Sequence, residues 1–200
     1  MIEGRVMVAA LETYAATGWS GFTMHEVATR SKVGKAALYR RWANKGELLT
    51  DAFMQMDSQT PTVDTGTLRG DIIATVVNIL QKSTSPMGLV AIRAQVEAKV
   101  YPGIFSDALE RWQRGRSRAG RAMVERAIER GEIPAGAKAA QVLDAVIGMA
   151  TNHVLAMPEQ MVVQLQETSE PYAASVADFV LRALTAEPQH AGVNAGDEAP

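Results

Sequence analysis

The chain has 200 residues, 47% of them hydrophobic, with 20 Lys or Arg set against 22 Asp or Glu for a formal charge of −2. That length and apolar content permit a packed core in one large or two small domains, and the near-neutral total excludes a polycation, so any basic face must be local. The lack of cysteine excludes disulfides and thiolate chemistry and is compatible with a reducing cytoplasm; no apolar run reaches the length of a membrane span, and the start of the chain carries no secretory pattern.

The elements follow helical periodicity with almost no strand signal. Val6, Ala9, Ala10, Thr13 and Tyr14 fall at the i, i+3, i+4 spacing of an amphipathic helix that stops at Gly18. Ile2 to Arg5 spell IEGR, a protease-recognition sequence familiar from cloning, which reads equally as coincidence or as a cloning scar; Arg5 already belongs to the helix. Trp19 and Phe22 anchor the next loop to the core. Thr23 can N-cap a helix over Thr23 to Arg30 whose Val27 and Ala28 face inward. Ser31 to Gly34 then break the periodicity, and Lys35 to Trp42 resume it. Two short helices joined by a tight turn are a helix-turn-helix, whose second helix lies in the major groove of DNA. From Arg30 to Lys45 the chain has six Lys or Arg and no Asp or Glu, the local sign purity that phosphate contact requires. The expected DNA contacts are Thr23, Lys35, Ala36, Ala37, Tyr39, Arg40, Arg41 and Lys45. Asn44 is a good N-cap for a helix from Lys45 to about Asp57, and Pro61 to Gly66 form a linker.

The string F-T-x-x-x-V-A … V-G-K-A-A-L-Y-R-R-W-x-N-K-G-E-L-L resembles the DNA-binding domain of the tetracycline-repressor (TetR) family, whose pattern is close to T-x-x-x-I-A-x-x-A-G-V-S-x-x-T-L-Y-x-H-F-x-S-K-E-x-L. Val33, Leu38, Tyr39, Trp42 in place of Phe, Lys45 and Leu48 fall at the family spacing, and the helix before them is similar to the family's first. Two positions depart. Lys32 stands where the family has the turn glycine, so it must take a left-handed conformation at some cost or tilt the turn. Gly34, Ala36 and Ala37 replace hydroxyl residues at the start of the reading helix, which leaves methyl contact with thymine and Lys35 to read bases.

Beyond the linker, Leu68 to Gln81, Met87 to Val100, Pro102 to Arg130 (one helix, or two parted near Gly115), Lys138 to Met157 and a last helix starting at Pro171 complete an all-α chain. The domains are drawn as 1–50, a three-helix helix-turn-helix domain; 51–186, a larger helical regulatory and dimerisation domain; and 187–200, a disordered tail rich in Gly, Ala and acid. The resemblance implies a homodimer in which the last two helices and their symmetry mates form a four-helix bundle. Val142, Val146, Ile147, Val176, Phe179 and Val180 are its expected interface, and Gly148 its point of close approach; a monomer's own core is the alternative. The resemblance also implies a cavity for a small-molecule effector of unknown identity, expected at Met87, Val96, Phe105, Trp112, Met123 and His153, where ordinary core is again the competing account. Arg111, Arg114, Arg118 and Arg121 read as a solvated stripe.

Catalysis finds little support. His25, His153 and His190 have no metal-ligand spacing, and the chain has neither a Gly-rich phosphate loop nor a nucleophile elbow, so no catalytic residue, metal or cofactor is expected. The function expected is a cytoplasmic, non-enzymatic regulator, a repressor that releases a palindromic double-stranded operator when its effector binds, with no membrane partner. The alternative is an architectural DNA-binding protein that uses the same motif without an effector.

Overall fold

The computed structural model describes residues 2–57, 63–83, 88–101, 103, 106–162 and 165–185, and those residues are helices and their connections. In chain order they are α1 (Ile2–Gly21), α2 (Met24–Ser31), α3 (Lys35–Tyr39), α4 (Lys45–Asp57), α5 (Leu68–Ser83), α6 (Gly88–Val100), α7 (Ser106–Glu129), α8 (Ala139–Ala156), α9 (Glu159–Val162) and α10 (Leu165–Thr185).

Two hydrophobic cores organise them. The first gathers Tyr14, Phe22, Val27, Leu38, Trp42, Leu48, Leu49 and Phe53 from α1 to α4, and it takes in Val90 and Ala94 from α6 and Leu109 from α7. The second gathers Leu68, Ile72, Val76 and Leu80 from α5 with Met123 and Val124 of α7, Val142, Val146 and Ala150 of α8, and Val176 and Val180 of α10. Ala52 and Phe53 lie in the first core, so the linking helix α4 packs with the N-terminal unit well past residue 50. Its sequence carries Leu48, Leu49, Ala52 and Phe53 at helical spacing, one continuous inward stripe.

A polar network fixes the entry to the second core. Thr67 caps the start of α5 by accepting from the Gly70 amide at 3.1 Å, and the fully buried Asp71 accepts from the Thr65 amide at 2.6 Å and its hydroxyl at 2.8 Å. Arg126 on α7 pairs with Asp71 at 3.3 Å and donates to the Val63 carbonyl at 2.8 Å. Burying the carboxylate is tolerable because each oxygen has a donor.

One expectation is corrected. α10 begins at Leu165 and carries Pro171 inside it. Proline removes one intrahelical hydrogen bond, and the buried Leu165 and Ser169 hold the turn before it against the core. Of the two readings open for the next long segment, the single helix holds, since α7 runs unbroken through Gly115. Within the protomer the close helix approach is at Gly120, where a Cβ would collide with the Leu143 side chain, and the space beside Gly148 is open. The expected tail at 187–200 lies outside the described residues.

Candidate nucleic-acid interface

The site is built from the N-terminal unit. Thr23 takes an extended conformation and its hydroxyl accepts from the Glu26 amide at 3.1 Å, starting α2 as the sequence predicts. At the other end Lys32 sits in the left-handed region, at φ 55° and ψ 36°. Its amide donates to the Thr29 carbonyl at 3.3 Å and that of Val33 to the Ala28 carbonyl at 3.2 Å, the Schellman pattern that glycine normally completes. The chain thus closes the turn with a lysine where glycine is usual, accepting the backbone strain.

Leu38 and Trp42, buried at either end of one turn, fasten α3 to the core. The Trp42 indole also donates to Asp51 Oδ2 of α4 at 2.8 Å. With those two inward, Lys35, Ala36, Tyr39, Arg40 and Arg41 face out, Ala37 is half-buried, and Tyr39 is 49% exposed. α3 itself is only five residues, extended by hydrogen bonds from the Arg41 and Trp42 amides to the Leu38 carbonyl at 2.9 Å each.

The six cations do not all remain available. Arg30 pairs with Glu12 at 3.6 Å and Arg41 with Glu3, both acids reaching across from α1. Lys45, expected at a phosphate, is turned inward: its ammonium lies 4.1 Å from the Trp19 ring centroid and donates to the Trp19 carbonyl at 2.9 Å. Lys32, Lys35 and Arg40 are exposed with no carboxylate partner among the described residues. A groove of about 450 Å³ between α1 and the end of α2, lined by Arg5, Val8, Glu12, Arg30 and Lys32 among others, brings Arg5 to the same edge. Nothing local in the sequence places Arg5 there; it comes beside the turn because α1 packs on α2.

The other expected sites scatter. Met87 and Phe105, and the side chain of Trp112, lie outside the described residues. Val96 is 61% exposed on α6, whereas Met123 is buried in the second core. His153 is half-buried and stacks on Tyr172 with ring centroids 3.8 Å apart; the Tyr172 hydroxyl donates to the Met149 carbonyl at 3.1 Å, and burial raises its pKa. Of the expected interface residues, Val142, Val146, Val176 and Val180 are buried within the protomer, where α5, α8 and α10 cover one another, and Ile147 is half-buried. Phe179 alone is exposed, at 55%. No helix among the described residues is long and apolar enough to cross a membrane.

A capped helix-turn-helix on an all-helical body defines the class, an N-terminal DNA-binding domain joined to a larger helical one. Residues 6–52 match the family described as "Bacterial regulatory proteins, tetR family", and residues 62–180 match "Tetracyclin repressor-like, C-terminal domain". The chain belongs to the TetR family of transcriptional regulators. Among its relatives are the HTH-type transcriptional regulator YdeS of Bacillus subtilis (26% identical, 64% of this chain and 65% of that protein) and the DNA-binding transcriptional repressor TetR of Mycobacteroides abscessus (31% identical, 53% and 56%). The chain thus matches less than two thirds of the length of either. Solved structures of the same fold include FadR from Bacillus subtilis in complex with stearoyl-CoA, with a TM-score of 0.68 at 17% identity over 90% of this chain and 96% of that one. Reduced NemR from Escherichia coli gives 0.70 at 13%, over 90% and 97%.

Proposed function

We propose that the chain is a dimeric transcriptional repressor that binds a palindromic double-stranded DNA operator and releases it when a small molecule enters the C-terminal domain. The observation that carries this reading is α3 itself, fastened by Leu38 and Trp42 so that Lys35, Ala36, Tyr39 and Arg40 face outward beside a tightly capped turn. A short helix presenting cations and an aromatic hydroxyl can reach base edges and phosphates together. Lys45 is left out of the contact set because its charge is already engaged.

A single five-residue helix contacts too few base pairs for useful specificity, which supports a symmetric dimer on two half-sites. The faces of α8 and α10 that the protomer leaves open, with Gly148, Leu155 and Phe179, are the proposed interface. Ligand-dependent release requires an effector with unequal affinity for the DNA-competent and DNA-incompetent dimers. The resemblance puts the effector among the helices of the C-terminal domain, where Met123 and His153 are candidates to test separately. Since the FadR structure carries stearoyl-CoA, an acyl thioester is the first compound to test here.

The experiment is selection of duplexes from a randomised library by the full chain, followed by footprinting. The reading expects two inverted half-sites about one helical turn apart, protected by a dimer, and weaker protection with at least one compound of an apolar and acyl-thioester panel. Protection without sequence preference and without any compound effect would support an architectural protein.

A further inference from the structure

α1 is interrupted where α6 touches it. In a continuous α-helix the Trp19 amide would donate to the carbonyl of Ala15, four residues back. Gly18, at φ 66° and ψ −174°, interrupts that bond. The two groups it parts are taken by one ion pair on α6: Arg93 Nη1 donates to the Ala15 carbonyl at 2.8 Å, and Glu97 Oε2 accepts from the Trp19 amide at 3.0 Å. Arg93 and Glu97 are themselves 3.3 Å apart at i,i+4 spacing. The pair sits against bare backbone, since a Cβ on Gly18 would fall 2.4 Å from Arg93 Nη2 and 2.5 Å from Glu97 Oε1. The Trp19 carbonyl is held by Lys45 of α4, so the peptide just past the break is gripped from both α6 and α4. Only Ser20 and Gly21 separate it from the buried Phe22 and the Thr23 cap of α2.

We propose that the Arg93–Glu97 pair is a coupling latch: by standing in for the missing helical hydrogen bond, it lets α6 hold α1 bent and thereby sets the seat of α2 and α3. When α6 withdraws the pair, the Ala15 carbonyl and Trp19 amide are left without those partners. Re-forming their own bond restores them, α1 closes into a continuous helix, and the segment leading into α2 swings with it. One element then has two discrete hydrogen-bonded arrangements that the regulatory helices bias, as a physical coupling path requires. The effect on DNA rests on the operator reading above; the bend itself does not.

The test uses the full chain, its backbone chemical shifts at residues 15–21 recorded without DNA, and its affinity for the duplex that the unaltered chain selects from a randomised library. The double variant Arg93→Ala/Glu97→Ala is expected to show continuous helical shifts through Gly18 and at least a tenfold change in duplex affinity. Gly18→Ala, which evicts the pair without altering α6, should reproduce both changes. Glu97→Gln keeps an acceptor oxygen and should retain the bend and bind within twofold of the unaltered chain, which also separates the latch from a general loss of folding. Bent shifts persisting in the double variant and in Gly18→Ala would overturn the latch, as would a Glu97→Gln variant that folds but loses the bend. If the unaltered chain selects no duplex, the operator reading fails, and the shifts alone still decide the latch.

Discussion

Lys32→Gly should stabilise the protein, and the structure sets the size of the effect. Lys32 holds the left-handed conformation at φ 55° that closes α2. An L-residue there carries a penalty of about 1–2 kcal/mol, which glycine does not. Glycine in turn has more freedom to lose from the unfolded chain, worth about 0.4–1 kcal/mol. The difference is about 1 kcal/mol in favour of the variant, or about 2–4 °C in Tm for a chain of this size. Thermal unfolding followed by circular dichroism, at one fixed protein concentration because the Tm of any chain that self-associates depends on it, measures this directly. Lys32→Ala is the control, since it removes the same charge but keeps the strained backbone, and it should leave Tm unchanged. A fall in Tm for Lys32→Gly, or an equal rise for Lys32→Ala, would refute the strain argument, the second result by transferring the effect to the charge.

Asp71→Ala should lower stability by about 3 kcal/mol, the low end for breaking a buried pair, because Arg126 is still 24% exposed and keeps Asp64 at 3.5 Å; the urea midpoint reads it. Lys45→Met should cost about 1–2 kcal/mol through the lost carbonyl bond and ring contact while leaving the salt dependence of DNA binding unchanged, whereas Lys35→Ala should reduce that slope by about 0.9; salt titrations of both separate an anchoring lysine from a phosphate contact. Phe179→Glu should leave the protomer folded and sediment as a monomer, and Val146→Glu should unfold it, because Phe179 is 55% exposed and Val146 fully buried. Equal melting temperatures for those two variants would contradict this division of the faces.

Local chemistry made the N-terminal unit legible. Thr23, Asn44 and the alternation of Leu38 and Trp42 with polar residues are signals that act within a few positions, and the helices they specify form, although α3 stops at Tyr39, short of Trp42. The Asn44 carboxamide accepts from the Glu47 amide at 3.0 Å, the cap its sequence position implies. Charge was less legible. A run of six cations without an acid describes only sequence neighbours, and Glu3, Glu12 and Trp19 reach three of them through the tertiary fold. The apolar stripes of α8 and α10 are legible as stripes, but periodicity marks what is buried without saying by what. Val142, Val146, Val176 and Val180 are covered inside the protomer, leaving Phe179 as the residue whose exposure points outward. Gly18 was legible as a helix breaker, whereas Arg93 and Glu97, about 80 residues on, were not readable as its partners from any local pattern.

The central claim is that α3 reads DNA, and competition binding of the unaltered chain and Tyr39→Ala tests it most directly. Both are titrated with the selected duplex and with a scrambled one across a range of salt concentrations. The account predicts that Tyr39→Ala loses about 1–3 kcal/mol, roughly 5- to 150-fold, on the selected duplex while the scrambled duplex weakens far less, with the fold intact by circular dichroism. Equal affinity of the unaltered chain for the two duplexes, or a folded Tyr39→Ala variant that binds the selected one as the unaltered chain does, would contradict it.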